Sequence, residues 1–174
     1  MENEIQGVSV KQVSVKWGVI LGLISIVWSL LTQIMELYRY QAVNWIGVVF
    51  SIAVIYLGQK SFKEEGDGFM TFGQGVGIGV LLSLIASVIS SVFSWVYFAF
   101  IDDGLLQFEL DKAHTAWEEQ GMSEAQIEQA SGFTEIIMSP LVFTIIGFFV
   151  AMLFSVVISL IVSAINQRKN PEFA

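Results

Sequence analysis

The sequence predicts an all-α, polytopic membrane protein with four transmembrane helices and a helical extracytoplasmic insertion between helices 3 and 4. Three observations carry this. The chain of 174 residues is 55% hydrophobic and only 14% charged, against about a quarter charged in ordinary soluble domains. Its charges are bunched, which leaves four long runs without any. Those runs are continuously apolar, whereas a membrane β-barrel would show alternating segments of about ten residues. The pattern reads as a single membrane domain over residues 1–174, a four-helix bundle.

Trp17–Met35 is a charge-free run of 19 residues and Tyr40–Gln59 one of 20. At about 1.5 Å per residue, each just crosses a hydrocarbon core of about 30 Å. Spans are therefore expected at 15–36 and 42–59, although Gln41, Asn44 and Gln59 shorten the apolar part of the second to Val43–Leu57. The third run, between Asp67 and Asp102, holds 34 residues, and the fourth, between Glu135 and Arg168, holds 32. Neither has a turn signal in its middle, so each is read as one tilted span, at 72–101 and 138–167. Thr71 with Gln74 has the form of a capping box, which starts the third helix near Phe72. Ser139–Pro140 offers a side-chain cap followed by a proline in the first turn, where the missing N–H costs nothing. The 19-residue run after Lys11 and Lys16, with no A-x-A-like site behind it, predicts an uncleaved anchor rather than a secretory signal.

With four spans, the two termini and the second loop share a side. That side holds Lys11, Lys16, Lys60, Lys63, Arg168 and Lys169; the other holds only Arg39 and Lys112. The positive-inside rule then predicts an inner-membrane protein with both termini cytoplasmic. Trp17, Tyr38, Tyr40, Trp45, Trp95, Tyr97 and Phe98 gather at span ends, as interfacial aromatics do.

The acidic loop 102–135 holds nine of the sixteen carboxylates and one lysine. Leu106, Leu110, Ala113 and Trp117 recur at helical spacing, Gly121 has the place of a C-terminal glycine, and Ser123 with Gln126 opens a second helix in capping-box form. A helical hairpin over the outer mouth of the bundle is expected. Its acidity suits a solvated cap; a cation-attracting lid is the sharper reading. Asp102 and Asp103 are oxygen donors for Ca²⁺ or Mg²⁺, but no EF-hand spacing accompanies them.

Catalytic, cofactor-binding and metal residues are all expected to be none. The chain has no cysteine and one histidine, His114, which reads as a surface residue without companion ligands. Gly73, Gly75, Gly77 and Gly79 alternate, but they follow no strand and so are no phosphate loop. No hydrolase, metalloprotease, Walker or dinucleotide pattern occurs, and an enzyme is not expected. The net charge of −8 argues against nucleic acid as a partner, and none is expected. No Asp, Glu, Lys, Arg or His stands at mid-span, which argues against an ion-coupled pump. Glu36 and Arg39, at a span boundary, are spaced to pair with each other.

Small residues do form a pattern. Gly147, Ala151, Ser155, Ser159 and Ser163 stand four apart in the fourth span. The third has Gly75–Gly79, Ser83–Ser87–Ser91 and Ala86–Ser90–Ser94; the first has Gly18–Gly22 and Ser25–Ser29. Such ridges let helices approach closely. A packing seam is the preferred reading, under which Ser155→Leu or Ala151→Leu disrupts assembly. A hydroxyl-lined pathway is the alternative, and a continuous polar cavity between those helices would favour it. Gly18–Ile24 also aligns with Gly79–Ile85, a faint repeat of the parallel kind found in some transporters.

The run Gly68-Phe69-Met70-Thr71-Phe72-Gly73-Gln74, the stretch Phe100-Ile101-Asp102, the segment Glu119–Ile127, the triplet Met138-Ser139-Pro140 and the tail Ile158–Ile165 with Asn170-Pro171 together resemble the bacterial membrane family called domain of unknown function 4199, found mainly in Bacteroidetes. The resemblance covers nearly the whole chain and is strongest from Gly68 onward. It implies a bacterial inner-membrane protein with four helices and an acidic loop before the last, and it brings no catalytic residues. Members often carry a basic residue after the glycine–glutamine motif; this chain has Gly77 or its neighbours there, so no charged site transfers.

Two functions are expected from these readings. The first is a non-enzymatic accessory or scaffold in an envelope assembly, partnered by the lipid bilayer and by other membrane proteins or copies of itself. The second is a small uncoupled transporter or channel using the serine-rich spans 3 and 4.

Overall fold

The computed structural model describes residues 8–168. Lys169 of the charge count, Asn170-Pro171 of the family motif and the side chain of Asn44 lie outside what is described. In chain order come α1 (Val10–Ile34), two 3₁₀ turns (Leu37–Arg39 and Gln41–Val43), α2 (Asn44–Glu65), α3 (Phe72–Phe100), α4 (Gly104–Glu119), α5 (Glu124–Ile137) and α6 (Pro140–Asn166). The expected four-helix bundle is thus corrected: there are six α-helices among the described residues. Four segments are long and apolar enough to cross a membrane: Val10–Ile34, Gln41–Glu65, Phe72–Phe100 and Pro140–Asn166. Helices α4 and α5, with 16 and 14 residues and frequent carboxylates, are too short and too polar to join them.

Local chemistry fixes the helix ends. Ser9 caps α1 in a full capping box with Gln12, so this helix begins earlier than the charge-free run and carries Lys11 in its first turn. The Thr71–Gln74 box opens α3 at Phe72, and the Ser123–Gln126 box opens α5. Gly121, at φ +73°, ends the α4 turn, with Met122 N–H donating to the Trp117 carbonyl at 3.1 Å. Ser139 precedes Pro140 but does not cap α6 through its side chain; its hydroxyl donates back to the Ile136 carbonyl at 2.7 Å. Helix α2 continues past Gln59 to Glu65, because Gln59 is not a span end but a buried bridge between helices.

Helix α3 is the centre of the bundle. Along α1, the Ser14 hydroxyl donates to the Ile78 carbonyl, and Gly18 and Gly22 lie against Leu82–Ile85 and Ile89, so the two helices run parallel. A β-carbon on Gly18 would stand 2.8 Å from the Leu82 carbonyl oxygen. Along α6 the order reverses: Gly75 meets Ser163 and Gly79 meets Ser159. Backbone contact this close is what small residues supply in a membrane, where apolar side chains gain nothing by leaving lipid. Helix α2 lies across this trio, its Ile55 packed with Leu82, Ile158 and Val162.

The outward faces stay apolar, with Val27, Val49, Phe149 and Leu153 each more than half exposed. A soluble monomer does not expose apolar surface on this scale; lipid contact requires it. The face holding the start of α1 and the end of α6, here the terminal face, is tied by the Met70–Arg168 backbone bridge and the Lys16–Glu65 ion pair at 2.9 Å. At the opposite, far face, Leu106 of α4 is buried against Tyr97 and Phe98.

Candidate functional site

Near the terminal face, α2 and α6 are joined by polar contacts. Gln59 donates to the Gly75 carbonyl at 3.1 Å and to the Ser163 hydroxyl at 2.8 Å, and it accepts from the Asn166 amide at 3.2 Å. Lys63 donates to the Asn166 backbone oxygen and to its Oδ1, at 2.8 and 2.6 Å. Every partner of Gln59 is itself buried, so this knot closes the bundle on that side.

Toward the far face, α2 and α6 separate. Between them, floored by α3 and walled by α1, lie two adjoining cavities of about 420 and 250 Å³. Ser25, Gly47, Ser87, Ser90 and Ala151 border both, so every spanning helix contributes to the shared boundary. The deeper cavity ends at Ser83, Ser155 and Ile158, against the mid-bundle core. The outer one reaches Gln33, Tyr38 and the first turns of α4, where Leu105 and Glu109 line it.

The small-residue ridge of α6 therefore has two fates. Ser159 and Ser163 pack against glycines of α3, as a seam requires, whereas Gly147 and Ala151 are exposed and face the cavity. A β-carbon on Gly147 would meet nothing within 4 Å.

Several hydroxyls of the cavity walls are turned onto their own helices. Thr32 donates to the Trp28 and Ser29 carbonyls, Ser90 to Ser87, Thr144 to Pro140, and Ser51 to Gly47. A hydroxyl that spends its one proton on its own helix shows only lone pairs to the cavity. Among the described residues, three buried polar side-chain atoms have no partner: Trp17 Nε1, Gln33 Oε1 and Ser83 Oγ. Gln33 and Ser83 both line these cavities, and they are 6% and 1% exposed. An orphaned polar atom away from water is costly and calls for a ligand or water.

Beyond Gln33 and Tyr38 a third hollow, of about 410 Å³, opens at the far face, bordered by Glu36, Arg39, Asp102 and Asp111. Arg39 Nε donates to Glu36 at 2.7 Å, which holds the guanidinium even further above its ordinary pKa. Its charge also lies 5.2 Å from the Phe108 ring, joining the first interhelical turn to α4.

The residues considered from sequence fall elsewhere. Asp102 accepts from the Gly104 N–H and Asp103 from Gln107, both local contacts. Among the described residues, no three His, Cys, Asp or Glu side chains are placed to share a metal ion. Of the alternating glycines, Gly75 and Gly79 are the positions of α3 that approach α6 closely, while Gly73 meets nothing. His114 is half-buried and bonded to Ser131 of α5 rather than free at the surface. Sequence reasoning missed Gln33: it stands two residues from the end of its charge-free run, where a polar side chain reads as interfacial.

No protein of curated function and no solved structure matches this chain. The model of one family, described as Protein of unknown function (DUF4199), matches residues 16–168, nearly the whole length, and the chain belongs to that family.

Proposed function

We propose that this protein is a non-enzymatic integral protein of a bacterial inner membrane, with both termini cytoplasmic, that admits a small solute from the extracytoplasmic side into its hydroxyl-lined cavity and passes it on without ion coupling. The supporting observation is the pair of adjoining cavities between all four spanning helices, which share Ser87 and Ser90 and together reach from the far face to Ser83 at mid-bundle. The apolar core of Ile55, Leu82, Ile158 and Val162 closes its inner end, with the Gln59–Ser163–Asn166 knot beyond, and release would need both to open. Orientation rests on the six-to-two division of basic residues between the faces.

The absence of cysteine in the native chain gives a clean test. Ser90→Cys should react with a membrane-impermeant thiol reagent added from the extracytoplasmic side, and His114→Cys should react from the same side. Val88, on the neighbouring outward face, is the lipid-facing control. If Ser90→Cys reacts no faster than Val88→Cys, the cavity is sealed from water and the reading fails.

An accessory or scaffold role is the second reading. It is supported by Phe133 and Ile136 of α5, exposed apolar side chains outside the spanning helices, 67% and 62% accessible, which a partner would cover. The small-residue ridges do not add to it, since Gly75, Gly79, Ser159 and Ser163 are used within the chain.

A further inference from the structure

We infer that the ligand of the outer cavity is an organic ammonium ion, a protonated amine on a small apolar body; this rests on the reading of the cavity as an open solute site. Four features converge on it. First, one part of the wall offers acceptors alone: Thr32, Ser90 and Thr144 have given their protons to their own helices, and the Gln33 Oε1 has no donor. A ligand that completes these groups must bring N–H or O–H donors. Second, Trp28, Tyr38, Phe50, Phe98, Phe143 and Phe148 line the same space. Aromatic faces are negative and attract cations, most strongly when water is excluded.

Third, the charge along the route has one dominant sign. Glu109 lines the cavity, and Glu36, Asp102 and Asp111 border the hollow outside it. Arg39 borders that hollow too, but its Nε is bonded to Glu36, while Lys112 reaches Glu109 at 3.2 Å without lining the cavity. An anion would meet no cationic side chain inside. Fourth, about 420 Å³ is far more space than one dehydrated metal ion fills, and six aromatic rings stand among the oxygens of the wall.

The test uses the full chain in lipid nanodiscs and isothermal titration at neutral pH with phenethylammonium, with 2-phenylethanol as its uncharged isostere and potassium chloride as the inorganic cation. Saturable binding of phenethylammonium is expected, with the alcohol and potassium each at least about tenfold weaker, the order for one charge-assisted bond. Gln33→Leu and Glu109→Gln should each weaken ammonium binding about five- to tenfold, while Glu124→Gln, on α5 away from the cavity, should not. If Gln33→Leu loses its melting transition, Gln33→Glu replaces it and should tighten binding. Ser90→Cys labelling is measured on the same preparations. Where labelling persists but the alcohol binds equally, potassium competes at equal concentration, or no probe binds, the ammonium inference is overturned and the open cavity stands. Where labelling is lost, both fall.

Discussion

Ser159 of α6 fills the space in which a β-carbon of Gly79 on α3 would stand: an ideal Cβ there lies 2.7 Å from the Ser159 Cβ and 3.2 Å from Ile55 Cγ2. The Ser159 side chain cannot swing away at no cost, because it is fully buried and its hydroxyl donates to the Ser155 carbonyl at 2.6 Å. Gly79→Ala should therefore destabilise the bundle by about 1–3 kcal/mol, the usual cost of overpacking. Gly147→Ala, with open space around it, should stay within about 0.5 kcal/mol of the parent. Reversible unfolding in mixed micelles measures both; equal effects at the two glycines would reject the seam.

Ala151 and Ser155 separate where the sequence alone treats them alike. Ser155 is buried at 7% exposure, and its carbonyl anchors Ser159. Ala151 is exposed and borders both cavities. Ser155→Leu should lower the melting temperature through overpacking. Ala151→Leu should leave it nearly unchanged while slowing thiol labelling of Ser90→Cys, because the added side chain enters the cavity. A large loss of stability from Ala151→Leu would place this part of α6 in a packed interface after all.

Gln59 is the polar side chain on which α2, α3 and α6 converge. Gln59→Leu would leave the Gly75 carbonyl, the Ser163 hydroxyl and the Asn166 amide each short of a partner. Interhelical hydrogen bonds in membranes are worth about 0.6–2 kcal/mol, so a loss of about 1–2 kcal/mol is expected rather than collapse. The inner end should also loosen: a cysteine at Ser163, unreactive in the otherwise native chain, should become accessible from the terminal face. If Gln59→Leu keeps Ser163→Cys fully protected, the knot is not what closes the bundle.

The spans and several helix starts were legible because they rest on local physics. Charge-free length reports the hydrocarbon core, and Thr71–Gln74 and Ser123–Gln126 report caps within three residues. Charge counting alone places the start of α1 too late, because Lys11 and Lys16 read as flanks although Ser9–Gln12 closes a cap ahead of them. The same method set the end of α2 too early, since a buried Gln59 and a terminal one look alike in one dimension. The cavity was half legible. Each step of four along α6 is answered by a step of four back along α3, so Gly79 and Gly75 touch Ser159 and Ser163, yet Ser87 and Ala151 both border open space. Spacing gives the faces that meet; where two crossed helices diverge depends on their angle and on α2, which no run of small residues encodes.

His114 ties α4 to α5, and the tie dictates its tautomer. The Ser131 hydroxyl gives its single proton to the Ile127 carbonyl at 2.7 Å, so the contact of 3.1 Å between Ser131 Oγ and His114 Nε2 requires the ring nitrogen to donate. The imidazole also lies 5.2 Å from the Trp117 ring, which limits its rotation. A double-mutant cycle of His114→Ala and Ser131→Ala should give a coupling of about 0.5–1.5 kcal/mol, the range of one net hydrogen bond. The local consequence should be larger than the global one: amide exchange along α5 should quicken in either variant, while α3 and α6, packed on each other at the centre of the bundle, keep their protection. His114→Asn, able to donate from its amide, should recover part of the coupling. Additive single effects with unchanged exchange in α5 would show that the hairpin is held by apolar packing alone and that the histidine is incidental to it.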